Sequence, residues 1–541
     1  MSIIQGNALS GGSSGYNLTN SLRFRSSASA YLNRTPATAG NRQTWTWSGW
    51  VKRGKLGAQQ YLFQSVIDNS GVDTNKLSFF YNSDDTLNLF SQITVFRKTN
   101  AVFRDPAAWY HIVLVADTNN ATANNRFRLY INNVEQTYST INNPSSGLNT
   151  AVNAVTPHYI ASEDGVATYF DGYLTEVNFI DGQALTPSSF GSFNAYGSWS
   201  PVRYGGSYGT NGFYLPFTNN TSTTTLGYDF SPNGNNWTCN NISLTAGATY
   251  DSMTDVPTLT SSTAANYCVL NPTLPIPAGT ISQGNLNYLR GSLASHGSVA
   301  ASFTLPTTGK WYWEVTACNN SGSSGNNEVI GVANILNNPQ LPATGSEIGT
   351  GSRGDYAYRS DGNKYNNGNQ GAYGATYTNG DVIGVAWDSD NGTIAFYKNG
   401  TTQGIAFSSI TQVAGKFAPA SSNAETSNGD SYNFGQRPFA YTPPSGFVAL
   451  NTYNLPTGTV TTSGTFTGNA STDGPFVYLN GVPTSMTING NAVTLGTNAD
   501  KLANGFKVRS SSSSYNASGS NSYSITTTGA VLKNANAQSN P

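Results

Sequence analysis

The sequence predicts an all-β protein: tandem antiparallel β-sandwiches followed by a small β C-terminal module. Three observations predict it. Tyr (31) and Phe (25) dominate the apolar set, and such residues suit a pleated, half-buried surface. Gly (57), together with Asn, Ser and Thr, fills the stretches between. These residues favour turns and weaken helices, because their side chains compete for the backbone or leave it too free. Short runs also alternate large apolar with small or polar residues, as in Trp45-Thr46-Trp47-Ser48-Gly49-Trp50-Val51, the period of two expected of a half-buried strand.

The chain is not of the disordered type, which lacks aromatics and carries excess net charge; here aromatics reach 12% and the net charge is -1. At roughly 100–200 residues per domain, 541 residues make three or four domains. Lys and Arg (26) balance Asp and Glu (27), so the electrostatic footprint of a nucleic-acid or anionic-membrane partner is missing. Cys239, Cys268 and Cys318 are too few and too scattered for a zinc pattern or a disulfide framework. They read as small buried hydrophobes. The N-terminal Met1–Ser10 lacks a basic stretch and an apolar stretch, so no signal peptide is expected there. No apolar run reaches the ~18 residues of a membrane span.

In chain order, residues 1–20 read as a polar tail or docking arm. Residues 21–200 carry strands at Ser21–Phe24, Trp45–Val51, Trp109–Ala116, Phe127–Ile131, Val134–Tyr138 and Phe170–Phe179. Asn132-Asn133 between two of them predicts a two-residue hairpin, since Asn tolerates positive φ. Five segments of this region, Tyr31–Pro36, Thr46–Lys52, Trp109–Ile112, Leu129–Asn132 and Phe170–Val177, resemble in their order a laminin-G-like, concanavalin A-like lectin/glucanase domain. The resemblance covers roughly 21–190 and implies a two-sheet antiparallel jelly roll. Residues 201–258 are expected to be an irregular β connector, packed rather than free, because Tyr204, Tyr208, Phe213, Tyr214, Phe217 and Trp237 need cover.

Residues 259–452 resemble a SPRY domain through Gly309–Val315, Ile330–Ala333, Gly380–Gly400, Phe417–Ala420, Tyr432–Phe439 and Pro444–Phe447. That resemblance implies a bent two-sheet sandwich used for binding. The residues themselves agree: Asp390-Asn391-Gly392 and Asn399-Gly400 are turn signals bounding short strands. Residues 453–541 are Ser/Thr/Gly-rich and form the small β module. The order of modules resembles that of cyanophage and other marine phage structural proteins. A virion protein, made in the host cytosol and freed by lysis, also reconciles an extracellular composition with the missing export signal.

No catalytic site is expected. A glycanase needs two carboxylates about 5–9.5 Å apart across a cleft, and enzymes of this fold carry them as Glu-x-Asp-x-x-Glu on one strand. Glu176 stands alone on its strand, and Glu163-Asp164 sits in a loop; two distant carboxylates converging in space stay open. His111, His158 and His296 have no partners at zinc or nucleophile spacing. Asp171 and Asp181, each before Gly, are explained by turns without calcium. Arg353-Gly354-Asp355 is a chance tripeptide in a Gly-rich chain. No metal or cofactor is expected.

The candidate carbohydrate- or partner-binding residues are Tyr356, Tyr358, Arg359, Tyr365 and Tyr373, set among Gly and Asn. Tyr gives contact area at small entropy cost, which suits recognition. Most of them are expected to pack in the sandwich or at its rim, since Tyr356 and Tyr358 share a face at i, i+2. The expected function is a virion structural and adhesion protein, a tail fibre or tail appendage, binding host-surface polysaccharide or neighbouring virion proteins as a homo-oligomer, with a trimer favoured. The alternatives are a head or capsid decoration protein or head fibre, and a polysaccharide depolymerase. Nucleic acid and membrane insertion are not expected.

Overall fold

Alternation along Thr44–Arg53 sets the layout of the first sandwich. Trp45, Trp47 and Val51 point into its core, while Trp50 points the other way. The strand pairs with Trp109–Asp117 on one side and Gly172–Asp181 on the other. Ser21–Phe24, Ser252–Met253, Phe127–Ile131 and Phe213–Leu215 extend this sheet, as do Ser2–Gly6 and Val531–Ala535, which pair with each other. The facing sheet runs Tyr138–Ile141, Thr94–Val102, Thr86–Ser91, Lys76–Tyr81, Gln60–Val66, His158–Ile160, Tyr31–Arg34, Thr238–Asn240. The computed structural model describes residues 2–6, 16–66, 76–91, 94–193, 199–274, 279–290, 296–318, 328–336, 347–413, 415–424, 429–456, 459–478, 482–502, 505–528 and 531–535.

Asn132 and Asn133 take φ of 47° and 70° and turn Phe127–Ile131 into Val134–Glu135. Both residues in the left-handed region match the twist of the flanking strands, as the sequence predicts. Asn399 (49°) and Gly400 (78°) do the same between Thr393–Lys398 and Thr401–Phe407.

The segment 201–258 reaches both sheets of the first sandwich. Phe213–Leu215 pairs with Gly172–Asp181, and Thr238–Asn240 with Tyr31–Arg34. Phe217, Leu226 and Trp237 enter the first core.

The second sandwich has one sheet ordered Gly279–Ser282, Asn287–Arg290, Asp430–Asn433, Lys310–Thr316, Val382–Asp388, Thr393–Lys398, Thr401–Phe407. Val448–Ala449 pairs parallel to Lys310–Thr316. The other sheet is Gly297–Ala300, Phe417–Asn423, Val329–Asn334, Tyr356–Arg359, Asn363–Tyr365, Asn369–Ala372. The C-terminal module has two small sheets around Phe466, Ile488, Phe506, Tyr523 and Ile525.

One expectation is corrected. Thr44–Arg53 is buried on both faces, not one. Its outer face meets Trp199, Met253 and the second sandwich, so Trp50, Trp109 and Tyr173 share one apolar cluster with Tyr267, Leu286 and Leu450. The polar residues of that face are buried too and find partners. Lys52 Nζ donates to Asp255 Oδ2 (2.7 Å), Asn266 Oδ1 (2.7 Å) and the Tyr267 carbonyl (2.9 Å). Trp109 Nε1 donates to Asp255 Oδ1 at 3.0 Å. Arg23 and Arg25 both reach Asp251. Gly284, at φ +72°, donates its N–H to Asp171 Oδ1 (2.6 Å) and accepts from the Tyr173 hydroxyl (2.7 Å). These contacts form a buried seam between the two sandwiches.

Candidate binding surface

Four of the five candidate residues fall on two faces of one sheet, and Tyr373 follows its last strand. Tyr356 and Tyr358 share a face, as their spacing predicts. Tyr356 stacks edge-on to Phe407 at 5.2 Å. Tyr358 is fully buried against Tyr373, Tyr377 and Phe396, and its hydroxyl donates to the Ala375 carbonyl. Arg359 and Tyr365 lie together on the other face: the guanidinium sits 5.2 Å from the Tyr365 ring and donates to its hydroxyl at 2.6 Å. Arg359 also pairs with Glu347 (3.3 Å) and Asp361 (3.6 Å). Tyr358 and Tyr365 are therefore interior groups. Tyr356, Arg359 and Tyr373 remain half-buried.

Tyr373 leads to the exposed part. Its hydroxyl accepts from the Phe396 N–H at 3.1 Å and donates to the Gly404 carbonyl. Gln403 Oε1 accepts from the Ala375 N–H (2.8 Å), and Lys364 Nζ donates to the Ala406 carbonyl (2.7 Å). These bonds tie Lys364 and the stretch Tyr373–Ala375, just past Asn369–Ala372, to the strand Thr401–Phe407. Asn369–Ala372 is exposed throughout, and Thr401–Phe407 nearly so. Ile405, 61% exposed, stands in the middle. Sequence reading missed this surface because Thr401–Phe407 carries no Tyr; its signal is an apolar residue amid Thr, Gln and Gly.

Other candidates are used up internally. Asp355 of the Arg353–Asp355 tripeptide is buried and accepts from the Asn334 N–H at 2.8 Å. Asp171 and Asp181 accept from backbone and amide N–H groups. His111 is buried between Trp50 and Trp199, which holds it neutral and pushes its pKa down to about 3. None of the three cysteines is in a disulfide.

Two acidic sites stand out. Glu176 sits in a β-bulge at φ 53°, where the register shifts between Thr175 and Asn178. Burial pushes its carboxyl up to about 7, against the hydrogen bonds from Tyr214 and Tyr16. No second carboxylate faces it in those contacts. Glu328 and Asp430, 1% and 0% exposed, do converge, beside Cys318. A glycanase pair must flank its substrate; these two are sealed between the sheets. The sequence reading did not bring them together, because Glu328, just before the strand Val329–Asn334, and Asp430, at the start of Asp430–Asn433, lie far apart in the chain.

Two known families match this geometry. Residues 26–189 match the concanavalin A-like lectin/glucanases superfamily, and residues 310–437 match the SPRY domain. The chain carries a concanavalin A-like domain followed by a SPRY domain. Such domains are in general binding modules. The Drosophila melanogaster "Ran-binding proteins 9/10 homolog" is 32% identical over 171 residues, which is 30% of this chain and 16% of that protein. The Xenopus laevis "ATP-dependent RNA helicase DDX1" is 31% identical over 146 residues, 26% of this chain and 17% of that protein. The chain thus spans about a sixth of the length of these relatives. Among solved structures, the SPRY domain of human HERC1 is 25% identical with a TM-score of 0.25, covering 30% of this chain and 95% of that one. Among the described residues, no helix is long and apolar enough to cross a membrane.

Proposed function

We propose that this chain is a non-catalytic adhesion protein of a phage particle, a tail fibre or appendage, whose SPRY domain meets a host-surface glycan with its outer edge. One observation carries the reading: at that edge the exposed strand Thr401–Phe407 is bonded to Tyr373 and Ala375, the residues just past the exposed strand Asn369–Ala372. They present the amides of Asn369 and Gln370 and the hydroxyls of Thr401 and Thr402, matched to the donors and acceptors of a sugar. Gly371 and Gly404 have open space where a side chain would stand, so a ring can approach the backbone. The buried seam supports the reading from the other side, since it holds the edge at a fixed attitude to the rest of the molecule. Single contacts of this kind are weak, and an oligomer on a particle multiplies them.

The test is binding of the full chain to immobilised host-surface polysaccharide. Saturable binding is expected, with Ile405→Asp and Thr402→Ala together weakening it roughly tenfold or more, a loss of about 1.4 kcal/mol, while the melting temperature holds. Absence of binding, or shortening of the polysaccharide on incubation, would overturn the proposal. Antibodies to the chain should label intact particles; unlabelled particles would remove the virion part of the reading.

A further inference from the structure

The interior of the SPRY domain holds a cluster unrelated to its outer edge. Strand Asp430–Asn433 pairs with Asn287–Arg290 so that Tyr288 lies opposite Asp430. Directly paired residues project to the same face, and Tyr432, two residues on, shares that face. The facing sheet supplies Ser421 and Asn423, which donate to Asp430 Oδ2 at 2.7 and 3.0 Å. Asp430 therefore points between the sheets. Cys318, just past the strand Lys310–Thr316, places Sγ 2.9 Å from Asp430 Oδ1. Its backbone N–H donates to Glu328 Oε2 at 3.1 Å. The ligand atoms of Cys318, Glu328 and Asp430 lie within 4.8 Å of one another, and all three residues are buried.

Two carboxyls and a thiol gathered in a dry interior repel one another when ionised, and each buried charge costs several kcal/mol unless compensated. A shared proton or a cation meets that demand. Two further observations select the cation. The Tyr288 hydroxyl and Asn423 Oδ1, both fully buried on this side of the strands, make no hydrogen bond. The charges of Asp430, Arg290 and Cys318 are also felt at the Tyr288 hydroxyl. A proton shared between two carboxyls leaves the Tyr288 hydroxyl and Asn423 Oδ1 without a partner. A metal ion uses the thiol as a ligand and offers the hydroxyl a bound water or a ligand oxygen.

We infer that Cys318, Glu328 and Asp430 form a structural zinc site inside the SPRY domain. The donor set chooses the metal: Zn²⁺ accepts thiolate and carboxylate together, whereas Mg²⁺ and Ca²⁺ demand oxygen alone. On binding, the thiol proton and any proton shared by the carboxyls pass to solvent, and a thiolate–metal bond forms.

The test uses the full chain, stripped with chelator and then given Zn²⁺ or Co²⁺ alone. Elemental analysis after desalting should find about one zinc per chain, with a higher melting temperature that chelator reverses. Co²⁺ should give the near-ultraviolet thiolate-to-metal absorption. Cys318→Ala should stay folded, lose that absorption and weaken zinc retention roughly tenfold or more, while Cys268→Ala should leave both intact. A Co²⁺ spectrum without the thiolate band in the unaltered chain overturns the inference, whatever the variants do. So does a chain that retains no zinc, or zinc retention indifferent to Cys318→Ala; the carboxyls then share a proton.

Discussion

The seam and the outer edge of the SPRY domain are built from opposite materials. The seam holds Arg23, Arg25, Lys52, Asp171, Asp251 and Asp255, every one of them buried. The edge strands Asn369–Ala372 and Thr401–Phe407 contain no charge at all. In most soluble proteins charge is kept at the surface. Here a chain with only 10% charged residues spends a good part of them as internal fasteners and leaves its exposed edge to amides, hydroxyls and glycine. Low charge content in this chain therefore marks two things at once: fastened domains and an uncharged exposed edge.

The contrast breaks most readily at Lys52. Lys52→Met strands the Asp255 carboxylate in a buried seam, and removal of one partner of a buried pair costs about 3–5 kcal/mol. Urea denaturation should show that loss, and Lys52→Met with Asp255→Leu should recover much of it. A loss under about 1 kcal/mol, the level of a surface pair, would mean the seam is wet.

Next in size is the pH response of Glu176. Its folded carboxyl, raised to about 7 by burial, holds a proton more tightly than the unfolded chain does. Its stabilisation is complete below the ordinary carboxyl range near 4.5 and disappears as pH rises through 7. The swing is on the order of 3 kcal/mol. Glu176→Gln should flatten this part of the stability–pH curve, and an unchanged slope would reassign it.

Tyr173→Phe sharpens the comparison at smaller scale. It removes the hydroxyl that donates to the Gly284 carbonyl across the seam, and should cost about 1 kcal/mol in the same denaturation assay. Ile405→Ser lies at the other extreme. Ile405 is exposed on the edge, so stability should change by no more than ~0.5 kcal/mol. A larger loss would show that the edge is covered in the intact protein.

What the sequence revealed was local. Asn132-Asn133 and Asn399-Gly400 announce their hairpins because the turn geometry depends on the φ preferences of those residues themselves. The shared face of Tyr356 and Tyr358 follows from strand periodicity alone. What stayed hidden depended on remote chain. Trp45–Val51 reads as half-buried, because the residues covering its outer face begin near Trp199. Tyr358 and Tyr365 look like recognition residues by composition, yet their rings are enclosed by Tyr377, Phe396 and Arg359. Glu328 and Asp430 meet only because two sheets close over them.

The route of residues 201–258 bears on any attempt to divide the molecule. That stretch stitches Phe213–Leu215 to one sheet and Thr238–Asn240 to the other, then hands Asp251 and Asp255 to the arginines and lysine of the jelly roll. A fragment cut after residue 200 would keep every strand that defines its family match and still expose Trp50, Trp109 and Tyr173 to water, with Lys52 robbed of its counter-ion. The smallest piece that can stand alone is thus longer than the domain its sequence advertises.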